Sequence, residues 1–273
     1  MRIDSPANPR IRAFRALAEP KGRREAGLFQ LEGVTLIAEA VATGLPLSAA
    51  YWCPERVRDE RERELVAKLE GCTELIEVSE RVLEQMASTV TPQAIAAEAR
   101  IPTTRLEDIA LPAQALIMAP VHTQDPGNMG TMIRTAHAVG AAAVIAVGSC
   151  VDLWAPKVVR ATMGSLFRLP VVREPSRDVF LAWCGENGVE PVAATVHAGE
   201  SLFEARFASR TALLLGSESQ GLPPELSRPG VRGVAIPMPG GTESLNVAVA
   251  AGLMMYEYRR QHPSGATPRA DNS

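Results

Sequence analysis

The sequence predicts an α/β protein in two parts: a small α/β unit, then a larger one built on a parallel sheet. Three observations predict this. Short apolar runs alternate with helical segments along most of the chain. In the C-terminal part the runs at Leu116–Ala119, Val144–Val147 and Ala212–Leu215 are apolar at every position, as in strands covered on both faces. Between the parts, Pro102 to Pro112 reads as a linker, with two prolines, two threonines and the acidic pair Glu107-Asp108. The division is 1–102, a linker at 103–112, a second domain at 113–262, and a tail at 263–273 whose composition predicts disorder.

The first part opens with a basic stretch. Residues 1–24 set Arg2, Arg10, Arg12, Arg15, Lys21, Arg23 and Arg24 against Asp4 and Glu19, a local charge of +5. Such a segment is either a solvated helix face or an arm that steers toward phosphates. Phe29–Leu31 then reads as a strand, and Glu32-Gly33 opens a helix to about Thr43. Leu47–Cys53 is a strand, and Glu60–Glu70 alternates charge at helical spacing. Leu75–Val78 is a strand, Ser79 caps a short helix, and Ile95–Ala99 is a strand. In the second part, strands at Leu116–Ala119, Val144–Val147, Leu169–Val172, Val192–Thr195, Ala212–Leu215 and Val234–Ile236 are expected. Helices fall at Asn128–Val139, Pro156–Met163 and Ser176–Asn187. A last helix follows Ser244 as N-cap, and from Leu245 to Met255 it is apolar on nearly every face, which predicts burial all round.

Composition excludes several classes. Of 273 residues 46% are hydrophobic and the net charge is only −3, so the chain reads as globular with no global pull toward nucleic acid. Cys53, Cys72, Cys150 and Cys184 form no CxxC pair, and the histidines form no HExxH, so no metal is expected. The first residues, Met-Arg-Ile-Asp-Ser-Pro, contain no apolar signal core, and no run is suited to a membrane. A cytoplasmic protein with reduced thiols is expected. The absence of GxGxxG after a strand and of a Walker lysine argues against a dehydrogenase or NTPase.

Ligands of a parallel sheet bind beyond the carboxyl ends of its strands. Three loops that leave that end carry unusual residues. In the first, from His122, Asp125-Pro126-Gly127 is a turn, Asn128 caps the next helix, and Arg134 lies on it among Met132, Ile133 and Ala136. Asn128 alone reads equally as a cap. A guanidinium buried in such a stretch needs a partner. In the second, Leu215 and Gly216 precede Glu218, with Gly221 beyond. Glu218 is either a solvated turn residue or the charge of a site. In the third, Ile236, Met238, Ser244, Leu245 and Asn246 surround a turn held by Pro237, Pro239, Gly240 and Gly241. Asn246 is either a satisfied structural amide or, with Ser244, faces a ligand.

Together these loops resemble the motifs of the SpoU/TrmH family of RNA ribose 2′-O-methyltransferases, of the SPOUT class. The matching residues are 125–136, 160–171, 215–222 and 236–250, in the family's order and spacing. Asn8-Pro9-Arg10 and Phe29 to Gly33 resemble the N-terminal RNA-binding domain of many members. The resemblance implies a deep trefoil knot in the C-terminal domain. It also implies S-adenosyl-L-methionine held bent by Leu215, Gly216, Ile236, Met238 and Leu245, and a homodimer in which the arginine acts beside the partner's cofactor. Carried over by motif, the catalytic residues are Asn128, Arg134, Glu218, Ser244 and Asn246. The expected substrate is a ribose 2′-hydroxyl of RNA. Large-subunit (23S) ribosomal RNA is favoured over transfer RNA because the N-terminal domain is full length. An antibiotic-resistance methyltransferase, a base-nitrogen methyltransferase and a catalytically silent RNA-binding member are the alternatives.

Overall fold

The computed structural model describes residues 2–88, 92–196, 199–216 and 230–263. They fall into two compact units. One comprises Met1–Thr104, Gln124–Arg134 and Cys150–Pro170, and the other Arg105–Thr123, Thr135–Ser149 and Val171–Ser273.

The first unit carries β1 (Arg2–Ile3), α1 (Pro9–Ala16), α2 (Pro20–Ala26), β2 (Leu28–Glu32), α3 (Val34–Ala42), β3 (Leu47–Trp52), α4 (Glu60–Glu70), β4 (Glu74–Val78), α5 (Glu80–Met86) and β5 (Ile95–Arg100). Its sheet has the order β1-β4-β3-β5-β2, with β5 antiparallel to both β2 and β3. Ile3, Ile11, Phe14, Tyr51, Val78, Val82 and Leu83 pack into one core cluster. The helices start where local chemistry dictates. Asn8 accepts from Arg10 N–H ahead of Pro9, and Asp59 accepts from Glu62 N–H at 2.9 Å to open α4. Ser79 precedes α5 as expected, but its hydroxyl is buried without a partner, so position and not a cap hydrogen bond defines that start.

Much of the basic N-terminal segment turns out to be structural. Arg23 is 2% exposed; Nη1 donates to the carbonyls of Leu17 and Ala18, while Nε and Nη2 donate to Asp152 at 2.9 and 2.6 Å. Arg2 pairs with Asp4, Glu55 and Glu77, and Arg10 with Glu74. A backbone hydrogen bond, then the Cys53 thiol and the Arg2 guanidinium, hold the Glu55 carboxyl down at about 2. Arg15 and Arg24 remain exposed, with no ion pair among the described residues.

The strands of the second unit are β6 (Ala115–Pro120), β7 (Ala143–Val147), β8 (Val171–Glu174), β9 (Glu190–Thr195), β10 (Glu200–Ser201), β11 (Arg210–Leu215) and β12 (Arg232–Ala235). They form a seven-stranded sheet in the order β10-β12-β9-β11-β6-β7-β8, and every neighbouring pair is parallel. β6 and β7 are buried at every residue, as the unbroken apolar runs require. β8 begins at Val171, two residues later than expected, since Pro170 has no N–H to give a ladder. The helices are α6 (Pro126–Ala138), α7 (Pro156–Ala161), α8 (Arg177–Glu186) and α9 (Val247–Gln261). α6 spans the boundary at Arg134, and α7 belongs to the first unit.

α9 packs on β11 and β6. The buried Tyr258 donates its hydroxyl to Ser209 O at 2.6 Å, and Arg259 donates to the carbonyls of Val139 and Gly140. The helix is not buried all round: Val249, Leu253 and Tyr256 are 52%, 45% and 56% exposed, on successive turns of one face. No helix among the described residues is long and apolar enough to cross a membrane. The four cysteines are free thiols, and burial pushes Cys53 up to about 11 and Cys184 up to about 12. The expected disordered tail lies outside the described residues beyond Pro263.

Arg23→Ala leaves two carbonyls and Oδ2 of the partly buried Asp152 carboxylate without donors. Urea unfolding is expected to show a loss of about 3–5 kcal/mol, the cost of breaking a buried pair from one side.

Candidate active site

Because the second sheet is all parallel, its carboxyl ends share one edge. β9 pairs with both β11 and β12, so Thr195, Leu215 and Ala235 close adjacent strands. The described segments beyond Thr195 and Ala235 therefore meet at that edge. A cavity of about 490 Å³ lies there, lined by Val196, Gly199 and Ser201 on one side and by Ala235 to Met238, Gly241, Thr242 and Glu243 on the other. That volume suits a nucleoside-sized ligand. Its lining combines apolar residues with Ser201, Thr242 and Glu243, a set whose chemistry fits a ligand carrying an apolar ring and a positive charge. Among the described residues no cluster could hold a metal ion.

The expected cofactor residues divide. Ile236 and Met238 line the cavity, Leu215 and Gly216 end and follow β11, and Leu245 is half-buried ahead of α9. Val196, Gly199, Ser201 and Thr242 were not anticipated; only Gly199, shortly after a strand, signalled a close turn. Glu218 lies outside the described residues.

Two caps differ from expectation. Ser244 is exposed and does not start α9; Asn246 does, its Oδ1 accepting from Ala248 N–H at 3.0 Å and Val249 N–H at 3.3 Å. Asn246 is also exposed, not a buried amide inside the first turn. Likewise Asn128 does not cap α6. Pro126 takes the first helical position, where its fixed φ is already helical, and Asp125 Oδ1 accepts from Asn128 N–H at 2.7 Å. Asn128 is half-buried in the first turn.

Arg134 is exposed, contrary to the burial its apolar neighbours suggested, and makes no ion pair among the described residues. On one helix, six residues separate Asn128 and Arg134 by roughly 9 Å along the axis and about 120° around it. They cannot face one another as residues three or four apart would. Within the first unit α6 lies tight on α7: a Cβ on Gly130 would stand 2.3 Å from Ala161 Cβ, so the motifs at 125–136 and 160–171 meet through a glycine. Asn128 and Arg134 belong to the first unit, and Leu215, Gly216, Ile236, Met238, Ser244, Leu245 and Asn246 to the second.

The family model of the SpoU rRNA methylases matches residues 115–256, which span the second sheet, its edge loops and most of α9. The chain belongs to the SpoU rRNA methylase family. A model of the MRM3-like substrate binding domain matches residues 8–97 of this SpoU-family chain. It is 32% identical to a 23S rRNA uridine 2′-O-methyltransferase of Streptomyces viridochromogenes, over 95% of this chain and 92% of that one. It is 31% identical to a 23S rRNA guanosine 2′-O-methyltransferase of Bacillus subtilis, covering 94% and 98%. The crystal structure of an AdoMet-bound rRNA methyltransferase from Sinorhizobium meliloti superposes with a TM-score of 0.87 at 31% identity, covering 97% and 99%.

Because Asn246 caps α9, Asn246→Ala is expected to lower stability by about 1 kcal/mol in thermal unfolding, while Ser244→Ala leaves the midpoint unchanged.

Proposed function

We propose that this SpoU-family chain transfers a methyl group from S-adenosylmethionine to a ribose 2′-hydroxyl of 23S ribosomal RNA. The observation that carries the reading is full-length likeness to two enzymes of that named activity, covering both units. Residues 1–102 serve as the RNA-binding domain and 113–262 as the methyltransferase domain, with a cytoplasmic location.

Ile236 and Met238 hold the cofactor from one wall of the carboxyl-edge cavity and Val196 and Ser201 from the other, with Glu243 facing positive charge. Leu215, Gly216 and Leu245 complete its seat. Bound there, S-adenosylmethionine supplies a sulfonium methyl already activated for transfer. The protein's task is therefore mainly alignment, which alone is worth up to ~7–11 kcal/mol of barrier.

Arg134 holds an RNA phosphate and stabilises charge on the 2′-oxygen as its proton leaves. Its lack of an ion pair among the described residues leaves it ready for an anion. Its role is that of a charged hydrogen-bond donor and not of a general base, as suits a guanidinium. Asn128 and Glu218 orient the nucleotide, and Ser244 and Asn246 position the hydroxyl at the mouth of α9.

The exposed Val249, Leu253 and Tyr256 of α9 form an apolar stripe suited to a second copy, which supports a homodimer. The six-residue offset of Asn128 and Arg134 supports an arginine acting on the partner's cofactor. A trefoil knot is the corresponding reading of the chain path. β11 is laid between the earlier strands β9 and β6, and α9, leaving β12, returns onto β11 and β6.

Purified protein given methyl-labelled cofactor and 23S ribosomal RNA is expected to yield a 2′-O-methylated nucleoside after digestion and mass spectrometry. Label on a base nitrogen, or none, contradicts the reading. Ile236→Asp is expected to weaken calorimetric affinity for S-adenosylmethionine at least tenfold with unfolding unchanged. Arg134→Lys should lose roughly 10²–10³ in transfer rate at an unmoved pH optimum, the usual scale for one transition-state donor; full rate with the optimum displaced toward the lysine pKa would make the residue a base.

A further inference from the structure

The first unit holds a second cavity, of about 110 Å³, between the end of β2, the start of α3 and the entry to β5. Leu83 and Ile95 give it an apolar wall, and Glu32, Gln93 and Arg160 give it polar groups. All belong to that unit, Arg160 through its Cys150–Pro170 segment.

The hydrogen bonding there is incomplete on both sides. Glu32 Oε1 accepts from Ser88 N–H at 2.8 Å, but Oε2 is buried with no partner. A buried carboxylate oxygen without a donor is costly and marks a place for one. Gln93 Oε1 accepts from Val34 N–H at 2.8 Å, and its amide nitrogen makes no hydrogen bond among the described residues. Arg160 donates through Nη1 to Ser88 Oγ, and its Nε and Nη2 make none among the described residues. The close seat of Gln93 depends on Gly33, whose φ is +99° and whose Cβ, if present, would lie 2.8 Å from Gln93 Oε1. One buried, unmet carboxylate oxygen thus stands beside the half-buried Arg160 and the exposed Gln93 amide, over an apolar wall, in a space the size of a single heteroaromatic ring system.

We propose that this cavity receives one unpaired base of the RNA substrate, guanine first among the four. Its N1–H and N2–H donors suit Glu32 Oε2, and its O6 and N7 acceptors suit Arg160 and Gln93. Uracil and cytosine bring fewer donors to the carboxylate, and adenine lacks the acceptor at position 6. The proposal rests on the RNA-substrate reading above and deepens it, assigning to the first unit a base contact and not only phosphate steering.

The test uses the ¹⁵N-labelled full chain titrated with GMP, AMP, CMP and UMP. GMP is expected to shift the amides of Gly33, Val34, Ser88 and Gln93, and the others at most weakly. Glu32→Gln keeps an oxygen for Ser88 N–H but removes the free acceptor. It should abolish the GMP response and raise KM for 23S ribosomal RNA at least tenfold at unchanged kcat. Arg160→Gln should do the same from the opposite edge. Unaltered calorimetric binding of S-adenosylmethionine in both variants shows that they are folded. Wild-type amides that ignore every mononucleotide, a response undiminished in Glu32→Gln, or a stronger response to another base overturns the proposal. Wild-type protein that responds to GMP but methylates no RNA leaves the cavity in place and removes the methyltransferase reading instead.

Discussion

The parallel pairing of the second sheet is the constraint on which the site depends. When every strand runs the same way, each connection must return to the opposite edge, and all the loops that leave the strands gather at one end. Here β9 stands between β11 and β12, so Thr195, Leu215 and Ala235, from distant parts of the sequence, end adjacent strands at one edge. No single loop makes the cavity. The apolar runs of β6 and β7 are buried at every residue, so these strands are covered on both faces and their ends lie at one packed edge.

Electrostatics divides the chain's arginines between architecture and recognition. Arg23 ties α2 to Asp152, Arg168 pairs with Glu39, and Arg232 bridges Glu190 and Glu200. These cations are spoken for. Arg134 is the contrast: exposed, on a helix anchored through Gly130, and unpaired among the described residues. A small net charge of −3 is therefore compatible with binding a polyanion, since what matters is which cations the fold leaves uncommitted.

Much of this was legible in the sequence, for local reasons. α4 runs from Glu60 to Glu70 as the charge pattern indicates, because Asp59 caps it and its buried Leu65, Val66 and Leu69 share one face. The strands of the second unit were visible as apolar runs. Helix starts are less legible. Asp-Pro-Gly-Asn looked like a turn with Asn128 as cap, whereas Asp before Pro is the cap signal itself. Ser244 and Asn246 are both good caps, and chemistry alone could not rank them. β1, two residues long, exists only through pairing with β4, some 75 residues away, and so left no local trace. The exposure of Arg134, Val249, Leu253 and Tyr256 was hidden for another reason: apolar neighbours report composition, not which face of a helix another element covers. The Arg23–Asp152 pair spans 129 residues and could not be read from either end.

A crystal structure of the full chain grown with S-adenosylhomocysteine tests the central claim most directly. If the carboxyl edge of the second sheet is the cofactor site, density for the ligand will fill the space between Val196–Ser201 and Ala235–Glu243, in contact with Ile236 and Met238. Ligand bound elsewhere, or an empty edge at saturating concentration, contradicts it.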